Sequence, residues 1–568
     1  MYRWLLVALL VPGLLASPSA SPPTPPPAES PLTMGIVNAR IWTGNPRQPW
    51  AEAIALRGDR IALVGSSAAI ERALRGIQPL DAHGQMVAPG FIDSHVHLFD
   101  GGYQLSSVQL RDARTPAEFT QRIAAFAKTL PKGAWITGGD WDHQQWGGEL
   151  PRHEWIDAVT PDNPVWVTRL DGHMGLANAL AMRAAHVSGA TPDENGGTII
   201  RDATGAPTGI FKDRAQSLIG AAIPDSTPDM DDRALAAGLR YLAAQGVTSV
   251  THMGDWEGLA ILQRAHEAGT LITRINAAVP LSTWARLRDT IAAQGRGDDW
   301  LRIGSLKGFA DGSLGSHTAA FLAPYSDAPD DRGLLVNTPD DLYAWTSAAD
   351  KAGLQVMVHA IGDRAIRTQL DIFARVERED GPRDRRFRIE HAQHIAPADI
   401  PRFAALHVIA SMQPYHAIDD GRWAEAAIGH ERALTSYAWK SLLDSGALLA
   451  FGSDWNVAPP TPLEGIYAAA TRRTLDGKHP NGWIPSQKID VEDALRAYTR
   501  NGAYAMFAEH SRGTLEPGKL ADLVMIDRDI TKVAPERIRD ARVVLTMVGG
   551  KVVYRAPAAA RRDPANPP

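Results

Sequence analysis

Eight short apolar runs constrain this chain more than any other feature. They cover residues 87–98, 248–252, 272–279, 302–309, 355–359, 386–391, 408–413 and 448–453. Most follow a stretch with apolar residues at helical spacing, such as 233–244, 341–352 or 434–443. Short apolar strands alternating with amphipathic helices describe a parallel sheet covered by helices. Eight such units are enough to close it into a barrel. The expected fold class is therefore α/β, a distorted (β/α)8 TIM-like barrel over about 87–511. Residues 103–232 do not fit the alternation and read as an insertion after the first strand, with a hairpin at 198–211 around Ala203-Thr204-Gly205.

The two ends of the chain read differently. Strand-like runs at 36–43, 53–57 and 60–64 are matched by others at 520–526, 543–548 and 551–554, the last pair separated by Gly549-Gly550. Neither block can bury itself alone, so a small β-sandwich built from both termini, 33–86 with 512–556, is expected. Arg3 followed by the apolar run 4–16 reads as a signal peptide over 1–20, too short for a comfortable membrane span. An uncleaved anchor is the alternative. A Pro/Ser-rich linker follows at 21–32, and 557–568 reads as a disordered tail. The mature protein is expected to be exported, periplasmic or secreted, with no stable membrane anchoring. Net charge of −6 gives no reason to expect nucleic acid as a partner. A chain with 0 Cys has no disulfides, no thiolate ligands and no Cys nucleophile, so any metal site must use His, carboxylate or Lys.

Polar residues recur where the apolar runs stop. His95 and His97 end the first; Lys307 lies near the end of the fourth; His359, His391 and Asp454 end or follow later ones. If 87–98 is one strand, His95 and His97 point to the same side, before a polar loop at Asp100-Gly101-Gly102. Each residue has a bland reading: a satisfied histidine, a helix-capping Asp454, a Lys307 paired with Asp311. As a set at the C-terminal face of a barrel, where such folds carry their chemistry, they read as a metal site. Gly518-Lys519 lacks the remainder of a phosphate-binding loop and reads as a turn.

The segments APGFIDSHVH, DGHMGLANALA, KGFADGSLGSHTA, VHAIGDRAI, RIEHAQ and FGSDW resemble the amidohydrolase superfamily, in particular its amidohydrolase-3 branch of YtcJ-like and N-substituted formamide deformylase-like proteins. The resemblance runs from about Thr33 to Tyr554 and is specific for the family, not for a substrate. It implies one or two zinc-like divalent ions, with His95, His97 and Asp454 on the first and His359 and His391 on the second. Lys307 matches a lysine that such enzymes carboxylate with CO2 to bridge two metals; an unmodified Lys307 would favour one. His317 and Asn456 depart from the family pattern. The implied activity is hydrolysis of a C–N bond in a small molecule, with Asp454 moving the proton and His391 and Lys307 beside it. His173 and His317 are candidate substrate contacts, with Trp141, Trp146 and Trp455 as candidate pocket walls. Ester, lactone or carbamate cleavage by the same site and a non-catalytic binding scaffold are the alternatives, and a homodimer is compatible with either.

Overall fold

The structure, a computed structural model, describes residues 30–557. The signal peptide, most of the linker and the tail expected from the sequence lie outside the described residues.

Eight parallel strands form the barrel: β1 (Phe91–Val96), β2 (Val247–Met253), β3 (Arg274–Pro280), β4 (Leu301–Phe309), β5 (Gln355–Ala360), β6 (Arg388–His391), β7 (Ile409–Met412) and β8 (Leu449–Phe451). Each pairs with the next in chain order. The seam between β8 and β1 is closed by the segment after β8. Asp454 N donates to His95 O at 2.7 Å, and His97 N donates to Trp455 O at 2.5 Å. Gly452 has to be glycine there, because a Cβ would lie 2.6 Å from His95 N. The barrel is thus pinned shut by the residues that carry the site.

The run 87–98 is not one strand. Met86–Pro89 pairs antiparallel with Leu523–Ile526 in a terminal sheet, and only Phe91–Val96 enters the barrel. Gly90 makes the transition while packed on Thr248, whose Cγ2 would sit 2.2 Å from an added Cβ. Gly90→Ala is expected to cost about 1–3 kcal/mol through overpacking, read as a lower urea midpoint. Asp100-Gly101-Gly102 is not a loop either, but part of the helix Leu98–Gln104. Its glycines let it lie against neighbours: a Cβ on Gly101 would be 2.5 Å from the Trp455 ring, and one on Gly102 would be 2.3 Å from Ala234 O. The helix expected over 434–443 is divided into His430–Ala433 and Trp439–Asp444. Between them Arg472 donates to the carbonyls of Tyr437 (3.0 Å) and Ser436 (3.2 Å) and holds the chain out of helix.

Both termini contribute to a six-stranded sheet, in the order Lys551–Arg555, Val543–Val548, Leu523–Ile526, Met86–Pro89, Arg40–Trp42, Trp50–Ala51. A four-stranded sheet of N-terminal residues faces it, and Ile36, Ile54, Leu56, Val87, Leu523 and Met547 fill the space between. Between β1 and β2 the chain folds a five-stranded mixed sheet, including the hairpin Gly197–Arg201 with Pro207–Asp213. This insertion leans on the loop after β4. Asp171 accepts from Ser313 Oγ and from Ser316 Oγ (3.2 Å), and Lys212 Nζ donates to Ser316 O at 2.8 Å. The barrel mouth therefore has a second wall. Among the described residues no helix is long and apolar enough to cross a membrane.

Candidate functional site

At the C-terminal mouth, Asp454 stands between two groups of imidazoles. Its Oδ1 is 3.4 Å from His95 Nε2 and 3.3 Å from His97 Nε2. Its Oδ2 is 3.9 Å from both His391 Nδ1 and His416 Nε2. Two donor sets of metal-binding dimensions result, His95/His97/Asp454 and His391/His416/Asp454. His97 reaches the first from beyond the end of β1, at the start of the helix Leu98–Gln104, rather than from within a strand.

The donors are aimed by buried partners. His95 Nδ1 donates to Glu390 Oε2 at 2.6 Å, which turns its Nε2 toward Asp454. Glu390 is held by Arg388, with Nε to Oε1 at 2.7 Å, and Arg388 also donates to Ser94 O and Ser411 Oγ. All of these lie inside the barrel, so the imidazole cannot swing without breaking buried charge-assisted hydrogen bonds. Asp93 accepts from the backbone of Ser453 (2.8 Å) and His95 (3.2 Å), fixing both sides of the seam. Burial pushes its carboxyl up to about 7.

Burial also sets the charge of the donors. It pulls His95 well below the usual imidazole range, assisted by the charge of Lys307. His359 and His391 are pulled down in the same way. Neutral imidazoles are what a cation needs. Asp454 Oδ1 and His416 Nε2 are buried with no hydrogen-bond partner among the described residues. A buried carboxylate oxygen left without a hydrogen bond is costly unless a cation or proton sits with it. The residues present fit a divalent metal bound by nitrogen and oxygen.

Lys307, on β4, points into the same place, its Nζ 3.1 Å from His95 Nε2. Burial holds its ammonium down to about 8. His359, on β5, lies beside His391 with ring centroids 4.5 Å apart, but its Nε2 donates to Gly312 O at 2.9 Å. His416, absent from the sequence reading, is the residue that completes a second set with His391. It follows β7 on a helix that begins at Pro414, and its position beyond a strand end was the available signal.

A cleft of about 280 Å³ covers these groups. The insertion lines it with Arg169 and His173, the helical segment after β7 with Asp419, Asp420 and Trp423, and the loop after β8 with Asn456. His173 Nδ1 bonds Asp213 Oδ1 at 2.7 Å. Burial pulls His173 down, but Asp213 outweighs it and raises it above its ordinary range. A larger cavity of about 740 Å³ adjoins on the β2–β4 side, sharing His97, Asp100, Lys307 and Phe309, but it does not reach Asp454, His391 or His416.

Four expected contacts lie elsewhere. His317 is outside the lining of both cavities, paired with Asp327 (3.3 Å) and tilted against the Tyr325 ring. Trp141 is fully buried, donating to Val167 O at 2.8 Å with its edge toward Phe119. Trp455 is buried against Gly101 and Tyr241, its Nε1 donating to Gln104 Oε1 at 3.2 Å. Both tryptophans are core, since the helices beside them supply apolar surface that sequence alone does not reveal. Trp146 packs on Phe119 and also falls outside both cavities.

A parallel barrel whose C-terminal mouth converges buried imidazoles, a carboxylate and a lysine defines a metal-dependent hydrolase. Comparison with known proteins gives the group within that class. Residues 78–554 match the model of the amidohydrolase family, and the chain belongs to it. It is 42% identical to Protein LONG AFTER FAR-RED 3 of Arabidopsis thaliana, over 91% of each chain. It is 28% identical to the N-substituted formamide deformylase of Arthrobacter pascens, over 91% of this chain and 98% of that one. Among solved structures, an uncharacterized metal-dependent hydrolase from Pyrococcus horikoshii superposes with a TM-score of 0.73 at 29% identity, covering 88% of this chain and 99% of that one. The protein is thus an amidohydrolase-family enzyme acting on C–N bonds, with a His/Asp metal site.

Proposed function

We propose that this enzyme hydrolyses a small N-acyl compound, an N-substituted formamide or a related amide, outside the cytoplasm. The carrying observation is Asp454 placed between two donor sets with one oxygen unsatisfied. The likeness to a relative named as a formamide deformylase narrows the acyl group. His95, His97 and Asp454 would hold one ion, most suitably zinc, and His391 with His416 would offer a second position beside Asp454. A divalent metal bound there supplies Lewis acidity and brings the pKa of water from 15.7 to about 7.

The chain's own residues do the rest. Asp454 takes the proton of the attacking water at its carboxylate and passes it to the departing nitrogen. Glu390 keeps His95 in the tautomer whose Nε2 lone pair faces the site. His173, whose hold on its proton is strengthened by Asp213, stands at the cleft wall where it can donate to a substrate oxygen. Arg169 and Trp423 shape the pocket for one small molecule.

Lys307 supports the bridging reading, because CO2 adds only to a neutral amine and burial favours that form. Protein prepared with 13C-bicarbonate is expected to show a carbamate carbonyl resonance in NMR that is lost in Lys307→Arg. A spectrum identical for both proteins would leave Lys307 as a plain amine.

The reaction class is tested by screening zinc-loaded protein against N-formyl, N-acyl, cyclic amide and ester substrates. Turnover confined to C–N substrates is the expected result. Ester-only turnover would move the reading to an esterase or lactonase. Export is tested by fractionating cells that express the full chain: a processed protein outside the cytoplasm is expected, an intact cytoplasmic one would refute it.

A further inference from the structure

The opposite mouth of the barrel holds a cavity the reaction does not use. It has a volume of about 270 Å³ and lies at the N-terminal ends of β3, β4 and β5. Arg296, Arg302, Arg383 and Arg385 line it, with Asp384 as the one carboxylate among the lining residues.

The carboxylates nearby are already engaged. Asp350 pairs with Arg383 and Arg385, each at 3.0 Å. Asp384 pairs with Arg386 at 2.9 Å, and Arg386 also holds Glu509 at 2.8 Å. Two guanidinium groups remain without a carboxylate. Arg296 donates only to the carbonyl of Gly353, at 2.9 Å. Arg302 has no hydrogen-bond or ion-pair partner among the described residues. Burial, with Arg302 and Arg383 nearby, pulls Arg296 below its ordinary range, and burial with Arg386 does the same to Arg302 against the attraction of Glu509 and Asp299, which are themselves paired with Arg386 and Arg512. Positive charge is therefore crowded into a concavity of a protein whose net charge is −6.

The cavity is also built rather than incidental. Its floor is a closed polar chain, Asn276 Nδ2 to Ser305 Oγ at 3.2 Å and Ser305 Oγ to Gln355 Oε1 at 3.1 Å. Gly304 on β4 has φ +135, and a Cβ there would lie 2.2 Å from Arg296 Nη1. Bare backbone lets the Arg296 guanidinium approach the strand closely, within the cavity that Arg302 also lines.

We propose that this cavity binds a small dianionic oxyanion, of the phosphate or phosphate-monoester class, between Arg296 and Arg302. Two unpaired guanidinium groups match two negative charges, and their forked donors match tetrahedral oxygens. The site is separate from the metal centre: Arg302 begins β4, and Lys307 lies farther along the same strand toward the C-terminal mouth.

The test is calorimetric titration of the metal-loaded protein with inorganic phosphate at constant ionic strength, paired with thermal unfolding. Saturable binding is expected, with a midpoint raised by about 2 °C at saturation. Arg302→Gln and Arg296→Gln should each weaken that binding by about tenfold or more. Arg302→Gln should unfold close to the parent in phosphate-free buffer, since it loses no hydrogen bond and the repulsion it relieves from Arg386 is set against the attraction of Glu509 and Asp299. Failure of phosphate to bind the parent protein would overturn the proposal. So would equal binding by both variants, which would place the phosphate elsewhere, at the metal centre for example.

Discussion

Asp454→Asn is expected to lower kcat by about 10³-fold. The amide keeps the size of the side chain but cannot accept a proton, and it removes the negative charge shared by both donor sets. Those two losses are separable. Metal content measured by mass spectrometry reports the second, and kcat at full metal loading reports the first. A variant that holds metal and still turns over at near the parent rate would remove Asp454 from the chemistry.

Glu390→Gln should have the largest effect on stability. Glu390 and Arg388 are both fully buried, and their pair stands in the middle of the barrel with His95 attached. Breaking a buried pair by neutralising one partner costs about 3–5 kcal/mol, because the other charge stays buried uncompensated. The same change loosens the orientation of His95, so metal affinity should fall about 10–100-fold. Chemical unfolding and competition with a chromophoric chelator read the two effects. Replacing Arg388 and Glu390 together by Met should restore a large part of the stability without restoring metal affinity. A loss under about 1 kcal/mol in the single variant would contradict the role given to the network.

Much of the candidate site is legible in the sequence, for a physical reason. In a parallel barrel the chemistry collects where strands end, and there a short apolar run stops abruptly at a polar residue. His95, His391 and Asp454 carry that mark, and Lys307 lies two residues before the end of its strand. His416 does not, because Pro414 starts a helix directly after β7 and makes the histidine look like part of a helical turn. Glu390 and Arg388 were hidden differently. They alternate along a strand, and nothing local shows that two charges on that face will meet inside the barrel. The tryptophans mark the same limit: Trp141 and Trp455 look identical to Trp423 in sequence, and only tertiary packing decides which of them lines the cleft.

The barrel itself was legible from its alternation, and the pairing of the two chain ends from the inability of either to bury itself. The division of residues 87–98 was not. Apolar character runs unbroken through Gly90, yet the strand on each side belongs to a different sheet. Hydrophobic pattern reports burial, not which neighbour does the burying.

The central claim is that this chain cleaves C–N bonds with a metal held by His95, His97 and Asp454. It is tested most directly by stripping the protein with a chelator, adding zinc back stepwise and following amine release from an N-formyl substrate. Activity absent in the stripped protein and saturating at one or two equivalents of zinc per chain is the predicted result. Undiminished amine release by the metal-free protein would contradict it.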